Sequence, residues 1–435
     1  MASIYNPTDD CVHMLPRNSA SCVRFNTTTK VWETYGDKFP MTEQFSNDKW
    51  GSPAISSYDN CYYAIPMSLV LYHKILKIDP KRGTTVEVGE DLRPLAGHAK
   101  YFCWGDAIAG ADGCIYGLPA QGKCVLRFDP RTNKASTFGH VEDINLEREL
   151  RAAGTLTNPK LPHPWKYLSG GLDASGRYIF AFPMQFKRVL CVDTEELTVE
   201  LIGDVGGSDG STFFETCKFS CAICAGDNCF YSFEITWKPI SMGRVLRLDP
   251  VKKTVSVFGL LQEHGSGWHI SGIAAKDGCI YVTGGNAVTQ IDPFAGTVRK
   301  MSHPLPSKSI MRTFGYGAQD RDGNIWMTPN FSGPVVRIAA RQPQTPFLTT
   351  LLQSQHHLVL QEGLRDLRCY GPALVVAMWR EAVRVGGDSA LVSGLLDAAA
   401  TTLPTVIVAS INKDNGKTAA LLLRTMLRVM PPQVV

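Results

Sequence analysis

The strongest constraint in this sequence is a pattern of four short segments that recurs along most of its length. The stretch "DGCIYGLPAQGKCVLRFDPRTNKASTFG" occupies residues 112–139, and related copies lie at 59–89, 227–259 and 277–301. In each copy an Asp-Gly or Asp-Asn turn leads into an apolar segment, a third segment ends in aspartate, and a fourth closes the unit. Alternating apolar residues, β-branched and aromatic content and turn residues of this kind predict β-strands joined by hairpins.

The aspartate that ends the third segment marks the spacing of the copies. It recurs at intervals of 50, 64, 56 and 43 residues, at Asp79, Asp129, Asp193, Asp249 and Asp292. Degenerate copies at 314–338 and at the N-terminus bring the number to seven. Four-stranded repeats of about 40–50 residues are typical of β-propellers. We therefore predict a mainly β fold, a seven-bladed propeller over residues 1–343 whose first inner strand is "ASIYN" (2–6). Six blades, with residues 345–352 completing one of them, is the alternative.

The apolar pattern changes after residue 343. From there to the C-terminus apolar residues follow helical i, i+3, i+4 spacing in about four segments, which indicates a small C-terminal helical domain at 344–435, armadillo-like in arrangement. The most apolar stretch, 389–411, contains Asp397 near its middle and is interrupted by Pro404. A carboxylate at that depth is costly in a bilayer, so we expect a buried core segment and no membrane insertion.

Charge and cysteine content exclude some classes of protein. There are 44 Lys and Arg against 40 Asp and Glu, a net charge of +4, and no basic run concentrates it. We therefore expect no nucleic-acid partner. The N-terminus lacks a basic segment followed by an apolar one, which predicts an intracellular, cytoplasmic protein. In that compartment the 13 cysteines are expected to be reduced thiols.

The copies resemble the "DG-x-I-W" repeats of streptogramin-lyase-like propellers, most clearly at residues 322–326, "DGNIW". They are still more similar to the "GCIYGIP…VLRIDP" arrays found in algae and other protists. The resemblance covers roughly residues 1–340 and implies the propeller fold. Lyases of this kind work through a metal-assisted His/Glu set at the channel mouth. The weak candidates here are His269, Glu263, His264 and His303, and only His269 is placed by the repeat alignment.

Four cysteines, Cys217, Cys221, Cys224 and Cys229, look like a metal cluster. Cys229 occupies the same repeat position as Cys61 and Cys114, which indicates strand packing. Cys221 and Cys224 would face opposite sides of one strand. We therefore predict structural thiols and no metal site.

A second motif, "INKDNGKTAALLLR" (411–424), resembles a phosphate-binding loop. The position of that motif's first glycine is occupied by Ile411. We read it as a helix start and expect no nucleotide and no other cofactor.

Connection lengths differ between the two rims of the predicted ring. Tight turns between strands one and two and between strands three and four share one rim, called here the plain rim. Long connections share the other, called here the long-loop face; they are residues 37–49, 67–73, 140–166, 204–218 and 234–242. The 140–166 connection is predicted to carry a short helix between Asp143 and Gly154. Long loops on a rigid scaffold favour a binding role for this face.

Large side chains recur where the inner strands begin. The candidate partner-binding set is Trp50, Trp104, Tyr167, Phe219, His269 and Phe314, with Trp237 in a long loop. For any one of them we expect packing between blades, and it is as a set that they are the candidate binding surface.

Together these features predict a non-enzymatic interaction or scaffold protein that binds a protein partner through the long-loop face. A metal-dependent lyase or hydrolase acting on a small molecule, with a divalent cation near His269, is one alternative. A structural subunit of a large assembly is the other.

Overall fold

The computed structural model describes residues 3–339, apart from 7–8, 18, 41–48, 98, 100, 143–146, 149–150, 153–163, 174, 206–218, 220, 226, 228, 235–242, 262–270, 276, 285–286, 302–313, 321 and 330–334. At 271, 283–284, 287, 314–316 and 328–329 the backbone alone is described. Within this part of the chain 27 strands form seven separate antiparallel sheets.

The first four sheets each contain four strands in chain order. Blade one comprises β1 (Ser3–Asn6), β2 (Cys11–Met14), β3 (Cys22–Asn26) and β4 (Trp32–Tyr35). Blade two comprises β5 (Ala54–Ile55), β6 (Tyr62–Ala64), β7 (Ile75–Asp79) and β8 (Thr84–Val88). Blade three comprises β9 (Trp104–Ala109), β10 (Ile115–Pro119), β11 (Cys124–Asp129) and β12 (Lys134–His140). Blade four comprises β13 (Gly171–Leu172), β14 (Tyr178–Ala181), β15 (Arg188–Asp193) and β16 (Thr198–Asp204).

Two more four-stranded sheets and one sheet with three described strands complete the set. Blade five comprises β17 (Ile223–Cys224), β18 (Phe230–Phe233), β19 (Gly243–Asp249) and β20 (Thr254–Leu261). Blade six comprises β21 (Ser271–Ala274), β22 (Ile280–Gly284), β23 (Ala287–Asp292) and β24 (Thr297–Lys300). Blade seven comprises β25 (Phe314–Gln319), β26 (Ile325–Pro329) and β27 (Val336–Ile338).

The ring closes between blade seven and blade one. Val12 and Phe25 of blade one pack in one apolar cluster with Ala318 and Trp326 of blade seven. The ring centroids of Phe25 and Trp326 are 5.3 Å apart. The predicted first inner strand is present as β1, which pairs with β2 along its whole length. Seven blades are therefore confirmed, and the six-blade alternative is wrong because the N-terminal residues form a complete sheet of their own.

In four blades the turn aspartate lies at the centre of a small polar network on the plain rim. In blade three the backbone N–H of Cys114 donates to Asp112 Oδ1 over 3.0 Å, and the Tyr116 hydroxyl donates to Oδ2 over 3.0 Å. Arg127 from β11 donates to the same Oδ2 over 3.0 Å. The Asp–Tyr pair recurs at Asp59–Tyr63, Asp227–Tyr231 and Asp277–Tyr281. The repeated D-x-C-x-Y sequence thus builds the same clamp in four blades, because i and i+4 lie on one face of the hairpin.

Helices are rare in the part of the chain that the structure describes. One short helix, α1 (Arg93–Ala96), lies between blades two and three. Residues 147–148 and 151–152 are also helical, in the middle of the helix predicted after Asp143. No helix among the described residues is long and apolar enough to cross a membrane.

The chain divides into two compact units, Met1–Arg341 and Gln342–Val435. The predicted helical domain at 344–435, the apolar stretch at 389–411 and the loop-like motif at 411–424 all lie outside the described residues. They stay predictions.

Candidate functional site

The long-loop face is the rim where inner strands begin and second strands end. There Trp50 pairs with Pro66 and Tyr167 with Pro183 in isolated antiparallel bridges, and Trp104 of β9 pairs with Pro119 of β10. Phe219 forms the corresponding bridge with Glu234 in blade five. The repeat alignment therefore placed these aromatic residues at equivalent positions, as predicted.

The side chains of these four residues point into the packing between blades. Trp50, Tyr167 and Phe219 are 0% exposed and Trp104 is 1% exposed. Trp104 Nε1 donates to the backbone oxygen of Cys124 over 3.0 Å, and the Tyr167 hydroxyl donates to that of Arg188 over 2.8 Å. Cys124 and Arg188 are the first residues of the third strands, so Trp104 and Tyr167 each connect the start of an inner strand to the third strand of the same blade. In this structure the four serve the packing role that was expected for each of them singly.

The remaining predicted site residues are not open to the same test. Trp237, His269, Glu263, His264 and His303 lie outside the described residues, and Phe314 is described by its backbone alone, as the first residue of β25. A partner contact for Trp237, His269 and Phe314 stays a prediction, and so does a role in catalysis for the histidines and Glu263.

A circumferential series of backbone hydrogen bonds runs along the long-loop face across blades two to four. Phe102 N–H donates to Met67 O in blade two, and Phe102 O accepts from Gln121 N–H over 2.8 Å in blade three. Lys166 N–H then donates to Ala120 O over 2.9 Å, and Lys166 O accepts from Met184 N–H over 2.8 Å in blade four. The residues just before an inner strand are thus bonded to the loop between strands two and three of the preceding blade and to the corresponding loop of their own blade.

Two half-buried aromatic side chains on this series were not predicted. The ring centroids of Phe102 and Trp165 are 4.8 Å apart, so the two pack together across the blade three–blade four seam. Phe102 has a φ of 48°, in the left-handed region that non-glycine residues rarely adopt. Neither residue belongs to the repeat, which is why alignment of the copies could not find them.

Residues adjacent or hydrogen-bonded to this pair, and the neighbouring loop, contribute buried polar side chains. Lys166 is 4% exposed, and its Nζ donates to the backbone oxygen of Gln121 over 3.2 Å. Burial lowers the pKa of Lys166 to about 8. Gln121 is 3% exposed and Ser68, on the next loop, is 5% exposed. Gln121 Nε2 and Ser68 Oγ have no hydrogen-bond partner in the described part of the chain.

The carboxylates near Lys166 are bonded to other cations. Glu142 accepts from Lys123 over 2.8 Å and pairs with His140 over 2.9 Å. The Lys123 ammonium holds the pKa of Glu142 down, at about 2. Glu147 pairs with Arg151 over 2.8 Å. Lys166 is therefore a buried ammonium without an ion pair among the described residues, an arrangement that costs free energy unless another group neutralises it.

Exposed apolar side chains lie beside this group, on the 67–73 loop of blade two. Val70 is 51% exposed and Leu71 is 39% exposed. The next residue, Tyr72, packs on Trp50 with 4.2 Å between ring centroids. The loop is therefore held on the ring by Tyr72 and presents Val70 and Leu71 to solvent.

The candidate cysteine cluster is divided between two cores. Cys221 packs with Cys229 and Tyr231 in one apolar cluster, whereas Cys224 packs with Phe230 in another. They face opposite sides of the blade, as expected from their spacing, and Cys217 lies outside the described residues. Burial raises the pKa of Cys221 to about 12, so its thiol is protonated. Among the described residues no three His, Cys, Asp or Glu side chains group as metal ligands would.

Comparison with known proteins finds similarity in fold and not in sequence. No protein-family profile matches the chain, and no curated protein sequence matches it. Among solved structures, a streptogramin B lyase is similar with a TM-score of 0.53 and 11% identity, over 76% of this chain and 90% of the other. Virginiamycin B lyase from Staphylococcus aureus has a TM-score of 0.44 and 14% identity, over 68% of this chain and 86% of the other. Hydrazine synthase from Kuenenia stuttgartiensis has a TM-score of 0.46 and 13% identity, over 63% of this chain and 72% of the other.

The first of these likenesses agrees with the resemblance read from the repeats. It supports a β-propeller repeat protein. At such an identity it shows the fold alone, because one fold carries many activities.

Proposed function

We propose that this chain is a non-enzymatic, intracellular interaction protein that binds a protein partner on the long-loop face, over blades two to four. The observation that carries the proposal is the Phe102–Trp165 pair. It joins two blades at 4.8 Å between centroids, and Phe102 has a φ of 48°. A backbone conformation of this kind costs about 1–3 kcal/mol and is concentrated at functional sites.

The surroundings of the pair suit a protein surface as ligand. Val70 and Leu71 add exposed apolar area on the neighbouring blade. Aromatic residues with apolar neighbours and a polar rim are the usual composition of an interface centre. Trp50, Trp104 and Tyr167 lie buried in the apolar clusters of these blades, which support the face.

The experiment compares two double variants with the same side chains removed from opposite rims. Val70→Asp with Leu71→Asp changes the long-loop face. Leu197→Asp with Val251→Asp changes the plain rim, where the two residues are 39% and 82% exposed. Each tagged protein captures partners from extracts of the cells that contain it, and the captured proteins are compared by mass spectrometry. We expect the long-loop variant to lose the partner that the wild type and the plain-rim variant both retain. Equal capture by both variants would contradict the proposal.

Phe102→Gly gives a second, independent test. Glycine adopts positive φ without strain, so the variant removes the aromatic ring while relieving the backbone. We expect its melting temperature to stay within a few degrees of the wild type and its partner capture to fall. Full capture by this variant would remove the observation on which the proposal rests.

Both alternatives from the sequence have distinct signatures. A lyase or hydrolase needs a cation and would show one bound in stoichiometric amount near His269. A subunit of a large assembly would co-purify through the C-terminal part, and deletion of 344–435 would release it while leaving capture by the long-loop face intact.

A further inference from the structure

We propose that the seam between blades three and four holds a carboxylate-binding site, in which Lys166 Nζ and Gln121 Nε2 are the two donors. The site lies on the long-loop face beside the Phe102–Trp165 pair. We take the carboxylate to belong to a protein partner, on a side chain or at a chain end. This assignment rests on the proposed function. The site itself does not.

The ammonium of Lys166 is buried without a counter-charge among the described residues. Lys166 is 4% exposed, and among the described residues its ammonium donates one hydrogen bond, to the neutral backbone oxygen of Gln121. An ammonium has three donors, so two remain for a ligand. Buried charges in folded proteins are paired as a rule, and this one has no ion pair among the described residues.

Among the described residues, the groups that face Lys166 from the adjoining elements do not neutralise it. Cys103, just before β9, has a thiol whose pKa is raised by burial to about 12, so it is uncharged at neutral pH. Burial likewise raises the pKa of Cys124 on β11. Glu142 and Glu147 lie within electrostatic reach, but each accepts from an exposed cation instead. Lys123, the remaining charged neighbour, is positive and repels Lys166.

The side-chain amide of Gln121 is a buried donor close in the fold to Lys166. Its side chain is 3% exposed, and Nε2 has no acceptor among the described residues. A buried amide donor without an acceptor costs about 1–3 kcal/mol, as measured in mutated proteins. The backbone oxygen of Gln121 accepts from Lys166 Nζ, so the blade-three loop that carries the amide also receives the ammonium from the start of blade four.

The donor set favours a carboxylate over other ligands. A single positive charge with one amide donor matches a monoanion with two oxygens. The apolar side of the site is the Phe186 ring, whose centroid lies 5.9 Å from Lys166 Nζ. A phosphate, with more charge and more oxygens, would call for further cations, preferably Arg. Entry requires movement of the half-buried Phe102 or Trp165 side chain, since Lys166 itself is covered.

Calorimetric titration of the full chain tests the site with defined probes. N-acetylglycine carries a chain-end carboxylate, and N-acetylaspartate methylamide carries a side-chain carboxylate. Inorganic phosphate is the comparison anion. We expect one of the carboxylates to bind, with Lys166→Met weakening it by about tenfold or more and Gln121→Leu severalfold, as loss of charge-assisted bonds does. Lys123→Met, which removes an exposed positive charge nearby, should change the affinity by no more than about twofold.

The pH dependence gives a further readout. Binding should weaken as pH rises above about 8, where Lys166 loses its proton, and Lys166→Met should remove that dependence. Circular dichroism and thermal melting establish that each variant is folded. The proposal is overturned if neither carboxylate binds the wild type, if Lys166→Met and Gln121→Leu bind as the wild type does, or if phosphate binds more tightly.

The outcome is separable from that of the proposed function. Loss of partner capture in the Val70/Leu71 variant without carboxylate binding would reject this site alone. Carboxylate binding that depends on Lys166, together with unchanged capture in that variant, would reject the proposed function alone. If the partner supplies the carboxylate, the better-binding probe should also displace it from the wild type.

Discussion

Gly203 of blade four lies directly against Val255 of blade five. A β-carbon on Gly203 would stand 2.6 Å from Val255 Cγ2, and the glycine has a φ of 51°. The same relation joins Gly36 to Thr85, Gly139 to Val199 and Gly259 to Val298. A glycine near the end of one outer strand thus receives a β-branched side chain from the next blade, and the outer edges of the ring interlock.

We expect Gly203→Ala to lower the free energy of unfolding by about 2–4 kcal/mol, because it adds overpacking to an unfavourable φ. Gly296→Ala is the matched control: its φ is 65°, and nothing lies within 4 Å of the added carbon. It should show the backbone cost alone, about 1–2 kcal/mol. Urea denaturation of both variants measures the difference. Equal losses of unfolding free energy in the two variants would mean that contact between the outer strands does not contribute to stability.

Trp104→Ala tests whether the buried aromatic residues are packing residues. Trp104 is 1% exposed and holds the start of β11 through its indole nitrogen. Removal of so large a buried side chain should cost about 3–5 kcal/mol. Thermal melting and partner capture are measured on the same preparation. A variant that keeps its wild-type stability and loses the partner would instead place Trp104 in the binding surface, as the sequence analysis first suggested.

Lys166 predicts an unusual gain of stability in alkali. Its pKa in the folded chain is about 8, against about 10.5 when it is exposed, so between these values the unfolded chain binds the extra proton. The free energy of unfolding of the wild type should therefore rise with pH through that window, by up to about 3 kcal/mol relative to Lys166→Met. Urea titrations at several pH values give both curves. Parallel curves would show that the amine is not desolvated.

The plain-rim clamp predicts loss of stability in acid. Burial of Asp112 raises its pKa, but the bonds from Cys114, Tyr116 and Arg127 outweigh this and leave the pKa below its ordinary value. Asp112 therefore stabilises the fold above the ordinary carboxyl pKa, and this contribution is lost as pH falls through the lower folded value. Asp112→Ala should cost about 1–3 kcal/mol at neutral pH and less in acid, because it leaves buried donors unsatisfied. Tyr116→Phe removes only the hydrogen bond from the Tyr116 hydroxyl. It should lower the free energy of unfolding by less than Asp112→Ala does at both pH values.

Metal removal separates the interaction protein from the lyase alternative. We expect no stoichiometric divalent cation in the purified chain, and no change of melting temperature with chelator or added Mg²⁺. His269→Ala should leave both results unchanged. A bound cation that is lost in this variant would reverse the conclusion and favour the lyase.

Much of the fold could be predicted because the ring repeats one four-stranded unit whose first hairpin is defined by nearby residues. The D-x-C-x-Y turn contains its own clamp, so Asp112, Cys114 and Tyr116 define the first hairpin without help from distant residues. For the same reason, Cys229 could be recognised as a packing position. The glycine of the outer strand follows a fixed spacing too, ten residues after the last position of the third strand, as in Asp193 and Gly203.

The site could not be predicted in the same way. Trp104 and Phe102 are two residues apart, both aromatic and both at the long-loop face, yet one is 1% exposed and the other half-buried. The difference comes from the neighbouring blades, whose loops cover the first and leave the second beside Trp165. The burial of Lys166 without a counter-charge could not be predicted from the sequence. Its ammonium is bonded to Gln121, which is 45 residues away in the chain. Sequence alone determined the blade and its repetition, because these depend on contacts within a few residues. Which side chains are buried, strained or left without a counter-charge was decided by tertiary structure, because only ring closure brings those groups together.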